Sequence, residues 1–214
     1  MTTVYIIDIP DNIDFKKYIC FIKKKINIKI NYNKKQSLVA WSFIIKYLES
    51  QNLDSKYLFK KNKHGKPFLI NNQLYFNISH SHEKVVVAVS SSEVGVDIEK
   101  ISNRNLKIID RYFTKKEKDF IFLDNNNIKI INRFYIVWTL KESYLKFKGV
   151  GLTLKLNSFE FDFNNLEKIK LILENNKGED KSLYFRYIDL DNYILSCCGK
   201  DKDLQIKKIK NFGF

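Results

Sequence analysis

The sequence predicts an α+β fold, and three observations carry that expectation. Two stretches, 37–49 and 129–148, repeat their apolar residues at helical spacing. Several short runs, 74–79 and 159–163 among them, have the alternation or apolar density of strands. The helical and strand-like segments do not alternate one by one, which argues against a βαβ array. A chain of 214 residues has room for one sizeable domain or two small ones. It buries on the order of 70% of its unfolded surface, so it folds without staples.

Val4 to Ile9 reads as a buried first strand. Leu38, Trp41, Ile45 and Leu48 share one helical face behind Ser37 as N-cap, which sets a helix over 37–49. Leu74, Phe76 and Ile78 alternate with Tyr75, Asn77 and Ser79, a strand with one apolar face. Val85 to Val89 is an unbroken apolar run, the mark of a strand buried on both faces. Thr114 and Glu117 make a capping box that opens a further helix. Phe134, Val137, Trp138 and Leu145 give 129–148 its helical stripe. Beyond Gly149-Val150-Gly151 the chain reads as short strands at 159–163, 168–173, 183–188, 192–198 and 204–209, with a hairpin turn at Asn175–Gly178.

Composition narrows the class. Hydrophobic residues make up 44% and charged residues 29%, which excludes a disordered chain. No apolar run is long enough to span a bilayer, and the start meets acids where a signal peptide has its apolar core. Three Cys (Cys20, Cys197, Cys198), two of them adjacent, fit neither a disulfide framework nor a zinc site. A cytoplasmic protein in a reducing compartment is the expectation. Most of the net charge of +14 lies between Lys16 and Lys66, where fourteen Lys face two acids, Glu49 and Asp54. Such a block suits an anionic partner, whether nucleic acid, a phosphorylated small molecule or an acidic protein. The alternative is a solvated face in a Lys-rich chain.

Three segments could carry chemistry. In Gly95-Val-Asp97-Ile-Glu99, strand alternation sends Val94, Val96 and Ile98 one way and both carboxylates the other. Two such carboxylates repel unless a cation lies between them, and Mg²⁺ prefers oxygen ligands of this kind. The same spacing also describes an ordinary solvated strand face. On the later helix, Glu142 and Lys146 are four apart and share a face. They make either a surface ion pair or a metal ligand beside a phosphate-binding cation. Around Gly65-Lys66-Pro67-Phe68 and Asn77-Ile-Ser79-His80-Ser81-His82, Lys66 is held extended before proline, while Ser79 and His80 end a strand, a position suited to phosphate.

Taken in order, GKPF, NISHS, GVDIE, FTKKE and WTLKESYLKFKG resemble the 4′-phosphopantetheinyl transferases, in particular the monomeric surfactin-synthetase-activating type. The resemblance implies two similar α+β halves, 1–94 and 95–214, forming an intramolecular pseudo-dimer with the active site in the cleft between them. It implies transfer of the 4′-phosphopantetheine arm of coenzyme A to a serine of an apo acyl or peptidyl carrier protein, releasing adenosine 3′,5′-bisphosphate. Mg²⁺, or Mn²⁺ in its place, would be the cofactor, with no nucleic-acid or membrane partner. By the same resemblance Asp97, Glu99 and Glu142 match metal-binding carboxylates, and Glu142 with Lys146 forms the catalytic pair. Lys66, Ser79, His80 and Lys146 match coenzyme-binding positions. Gln36 stands where relatives carry an arginine for the 3′-phosphate, so Lys34 or Lys35 would substitute, with further contacts from Lys23, Lys24 and Lys25. The Glu117 position also matches the family, but its capping role is sufficient explanation. The rivals are a magnesium-dependent nuclease and a basic nucleic-acid-binding module, the latter opposed by clustered carboxylates that repel phosphate.

Overall fold

The computed structural model describes residues 1–53, 59–70, 74–103, 106–173, 180–210 and 212–213. In chain order the elements begin with β1 (Thr2–Asp8), α1 (Phe15–Lys25), α2 (Lys35–Ser50), β2 (Phe59–Lys61) and β3 (Pro67–Leu69). Next come β4 (Tyr75–Ser81), β5 (Lys84–Ser90), β6 (Val94–Lys100), α3 (Ile109–Tyr112), α4 (Lys115–Ile121) and α5 (Asn127–Lys148). The chain ends with β7 (Phe159–Asp162), β8 (Lys170–Leu173), β9 (Tyr184–Asp189), β10 (Tyr193–Gly199) and β11 (Leu204–Ile209). The mixed α+β class expected from the sequence is the class observed.

Two sheets dominate. The first runs β11-β1-β5-β4 and the second β6-β10-β9, while β2-β3 and β7-β8 are small hairpin sheets. Among the described residues only β1 and β11 pair in parallel, with Thr2 opposite Leu204 and Ile7 opposite Ile209. The last strand therefore completes the sheet that the first strand starts, and the new sheet opens at Val94. The expected turn at Asn175–Gly178 lies outside the described residues.

Strand alternation sorts the core into layers. Val85, Val87 and Val89 join α1 and α2 on one side of the first sheet. Val86 and Ala88, with Val4 and Ile6, meet Val94, Val96, Ile98, Leu195 and Cys197 between the two sheets. Ile194 and Cys198, on the opposite face of β10, pack into the cluster of Phe134, Leu140 and Leu145 from α5. The order is helices, sheet, sheet, helix, and β5 is buried on both faces as its sequence predicts. Cys197 and Cys198 are both free and buried in these layers, and burial pushes the Cys197 thiol up to about 12.

Two expectations change. Helix α2 starts earlier than the 37–49 pattern implied, and its N-cap is Lys34, which makes no side-chain cap, so Ser37 lies inside the first turn. The polar face of β4 is not solvated. Asn77, Ser79 and Ser81 are all buried, because β4 and β6 are the edge strands along which the two sheets meet. At α4, Glu117 Oε2 accepts the Thr114 N–H at 3.0 Å, as a capping box requires. Its other oxygen has a second task that spacing did not reveal. Glu117 and Lys141 form an ion pair at 2.8 Å in which both side chains are 0% exposed. Lys141 Nζ also donates to the Leu156 and Phe159 carbonyls, and Glu117 Oε1 accepts from Phe161 N. A buried pair this fully hydrogen-bonded ties α4, α5 and β7 into one unit.

Candidate active site

The site grows from the seam between β4 and β6. Asn77 Oδ1 accepts the Val96 N–H at 2.9 Å, Ser79 Oγ the Ile98 N–H at 3.4 Å, and Ser81 Oγ the Lys100 N–H at 3.1 Å. Each acceptor lies nineteen residues before its donor, so the two strands run in the same direction in fixed register. Side chains here do what a backbone ladder does inside a sheet, and they close two edges that would otherwise carry unpaired N–H groups.

That register aims the carboxylates of β6. Val94, Val96 and Ile98 enter the layer between the sheets, so Asp97 and Glu99 face the other way, toward α5. Asp97 is 4% exposed, which rules out a solvated strand face. Helix α5 reaches it because β6 has a glycine at the crossing. A Cβ on Gly95 would overlap the Ser143 carbonyl oxygen and the Phe147 nitrogen of α5. With that approach open, Lys146 Nζ reaches Asp97 Oδ1 at 2.6 Å and Ser79 Oγ at 2.7 Å. The Ser79 hydroxyl in turn donates to Asp97 Oδ1 at 2.8 Å. Lys146 therefore pairs across to β6. The surface pair with Glu142 that the spacing allowed is not found among the described residues.

Glu142 shares the neighbourhood. Its pKa is raised, first by burial and then by Asp97 and Glu99, with Lys146 acting the other way. A carboxyl whose ionisation is disfavoured by burial and by two neighbouring carboxylates is the electrostatic setting in which a hard cation binds. Asp97 Oδ2 is buried with no hydrogen-bond partner, an acceptor still open toward that setting. Glu99 Oε2 accepts from Ser81 Oγ at 3.1 Å. Among the described residues, no three His, Cys, Asp or Glu side chains have closed on one point. The ammonium of Lys146 already occupies Asp97 Oδ1. The donor chemistry, carboxylates that include the unpartnered Asp97 Oδ2, fits a hard cation.

A cleft of about 630 Å³ opens beside the seam, lined by Phe15, Lys34, Lys35, Gln36, His80 and His82 among others. Burial holds the His80 imidazole below its ordinary pKa, and Lys146 and Lys34 lower it further, so cations converge there. Lys35 Nζ turns away to the Asp11 carbonyl at 2.8 Å. Gln36 Nε2 donates to the His82 carbonyl at 3.0 Å and so fixes the cleft wall.

Lys66 does not join this cluster. Its ammonium donates to Glu93 Oε2 at 2.8 Å, the Phe147 carbonyl at 3.0 Å and the Val94 carbonyl at 3.3 Å. These bonds fasten the β2-β3 hairpin to the end of α5 and the start of β6. Asn62 shares the task. Its Oδ1 accepts from His64 N and Lys66 N, while Nδ2 donates to the Gly149 carbonyl at 2.7 Å. Asn62 escaped the sequence reading; its one local signal was a turn-forming Asn three residues before Gly65. Together hairpin and helix enclose a pocket of about 280 Å³ that Glu142 and Lys146 also line.

Comparison with known proteins follows the same residues. A profile described as the 4′-phosphopantetheinyl transferase superfamily matches residues 93–198, the span holding Asp97, Glu99, Glu142 and Lys146. The 4′-phosphopantetheinyl transferase gsp of Aneurinibacillus migulanus is 36% identical over 89% of this chain and 78% of its own length. The 4′-phosphopantetheinyl transferase Sfp of Bacillus subtilis (strain 168) is 31% identical over 68% of this chain and 64% of its own. Among solved structures, a Thermotoga maritima holo-[acyl-carrier-protein] synthase aligns at TM-score 0.42 and 19% identity over 52% of this chain and 64% of that one, a slight likeness. By the gsp relative, 36% identical over 89% of this chain, together with the profile over residues 93–198, the chain belongs to the 4′-phosphopantetheinyl transferase superfamily.

Proposed function

We propose that this protein transfers the 4′-phosphopantetheine arm of coenzyme A to a serine hydroxyl of an apo acyl or peptidyl carrier protein. One observation carries the reading: the knot of Asp97, Ser79 and Lys146, whose Asp97 and Lys146 lie inside the span that matches the family. The serine oxygen bonds to the phosphorus that bears pantetheine. The bond from that phosphorus to the bridging oxygen breaks, and adenosine 3′,5′-bisphosphate leaves with that oxygen. Displacement at phosphorus needs positioning and charge neutralisation more than covalent catalysis.

Asp97, Glu99 and Glu142 would hold Mg²⁺ or Mn²⁺, which would supply positive charge to neutralise the leaving group. Lys146, already held at Asp97, lies ready to take a phosphoryl oxygen. Glu142 is suited to accept the serine proton, its carboxylate made more basic by burial. Lys34 offers charge to the coenzyme's phosphates from the cleft wall, and His80 a neutral imidazole that can hydrogen-bond to them. Residues 1–94 and 95–214 act in this reading as two halves of a monomer facing across the seam, with β11 returned to the first sheet. No helix among the described residues is long and apolar enough to cross a membrane. Free thiols suit the cytoplasm.

Intact-protein mass spectrometry tests the activity. Mixing apo carrier with this protein, coenzyme A and Mg²⁺ should add one phosphopantetheine to the carrier, and EDTA should abolish the gain. Full modification after thorough chelation removes the metal from the proposal, and no modification of any carrier tried removes the activity.

The cleft supports a narrower expectation. Lys34 and Lys35 both line it, but the Lys35 ammonium is already engaged by the Asp11 carbonyl. Lys34→Glu should therefore raise the KM for coenzyme A about tenfold, a loss of about 1.4 kcal/mol in binding, and Lys35→Glu much less. Dephospho-coenzyme A, which lacks the 3′-phosphate, should respond weakly to both. Equal losses for the two substrates would mean that Lys34 does not read the 3′-phosphate.

A further inference from the structure

The seam contains one polar side chain whose geometry points at the carboxylate cluster and which no role so far accounts for. Ser81, 7% exposed, sits at the last position of β4. Its oxygen accepts the Lys100 N–H at 3.1 Å, and its hydroxyl donates to Glu99 Oε2 at 3.1 Å. A third neighbour, His82 Nδ1, is at 3.4 Å. With its oxygen accepting from a backbone N–H, the hydroxyl can send its proton to Glu99 or to His82, and the charged, nearer Glu99 Oε2 is the stronger acceptor. Two residues earlier the pattern repeats: Ser79 accepts the Ile98 N–H and donates to Asp97 Oδ1. The strand period of two thus sets one serine against each carboxylate of β6.

The two carboxylates differ in every other respect. Asp97 is held by Lys146 as well as by Ser79. Glu99 is longer, less buried than Asp97, and sits near the end of its strand. A longer side chain loses more rotamer freedom when it is fixed, so an orienting hydrogen bond matters more to it.

We propose that Ser81 is a positioning residue that fixes the Glu99 carboxylate and thereby sets the cation affinity of the Asp97–Glu99–Glu142 cluster, a reading that rests on the proposed metal site. Ser81 touches neither substrate nor reacting atoms. It acts by presenting an already oriented carboxylate, as partners behind metal ligands do elsewhere.

The test reads cation binding without turnover. Mn²⁺, which is visible by electron paramagnetic resonance, is titrated into the protein with coenzyme A and no carrier. Ser81→Ala should weaken Mn²⁺ binding about tenfold. Ser81→Cys keeps the side-chain volume and the packing of the seam but donates poorly, so it should weaken binding to a similar degree. In a Glu99→Ala background, Ser81→Ala should change the affinity by less than about twofold, since no acceptor remains at that position. Melting temperatures are measured alongside. Should both serine variants keep Mn²⁺ affinity within twofold of the parent, or lose as much with Glu99→Ala as without it, Ser81 is only a fastener of the seam. Should the parent protein take up no Mn²⁺ beside coenzyme A, the metal reading itself falls, and the role of Ser81 with it.

Discussion

Glu142→Gln is expected to cut kcat at least a hundredfold while leaving the protein as stable as before or more so. A ligand or proton acceptor at the reacting phosphate contributes on the order of 3 kcal/mol to lowering the barrier. The amide keeps the shape and removes the charge. The stability side follows from the raised pKa, which burial causes first and Asp97 and Glu99 then reinforce. An acid whose folded pKa lies above its unfolded value favours the fold when protonated. That advantage is complete in acid and is lost as pH rises through the folded pKa. The neutral amide never loses it. In EDTA the variant should melt with the parent at low pH and increasingly above it as pH rises. A surface ion pair predicts the reverse: a few tenths of a kcal/mol of stability lost and turnover untouched. If kcat stays within a few-fold of the parent, Glu142 has no part in the chemistry.

How much of this site the sequence revealed depends on the range of the contact. Alternation along one strand was enough to put Asp97 and Glu99 on the face opposite Val96 and Ile98. Four-residue spacing was enough to put Glu142 and Lys146 on one helical face. The partners of those side chains were beyond any local pattern. Lys146 meets Asp97 across 49 residues of chain and Ser79 across 67. Lys66 meets the Phe147 carbonyl across 81, and Asn62 the Gly149 carbonyl across 87. Local reasoning accordingly saw only that Lys66 is held extended before proline, and it overlooked Asn62. Glu117 shows the same limit in one residue. Its bond to Thr114 is local and was legible, but its pairing with Lys141 depends on where α4 lies against α5. The polar face of β4 is the sharpest case. Alternating Asn77, Ser79 and Ser81 reads as a face turned to water, and only the meeting of two sheet edges makes it an interior seam.

Gly95→Ala is the substitution expected to damage the fold most for a single added methyl. The new Cβ would overlap the Ser143 carbonyl oxygen and the Phe147 nitrogen, and it would lie 2.9 Å from Phe147 Cα. All three atoms are backbone of a 22-residue helix, so no side chain can swing aside to make room. The helix must move off β6 as a body. Overpacking usually costs 1–3 kcal/mol where side chains can yield, and here the cost should reach about 3 kcal/mol or more. That corresponds to a fall in melting temperature of roughly 6–12 °C for a chain of this size. Activity should fall further than stability. Moving α5 carries Glu142 and Lys146 away from Asp97, and a displacement near 1 Å costs about a hundredfold in rate. Gly199→Ala is the matched control on β10. A Cβ there would meet its nearest neighbour, the Glu93 carbonyl oxygen, at an ordinary 3.6 Å, so stability and turnover should stay close to the parent's. The pair of variants, compared by melting temperature and kcat, isolates the helix–strand approach from the mere loss of a glycine. If Gly95→Ala melts and turns over like Gly199→Ala, the close packing of α5 on β6 is not what brings the site together.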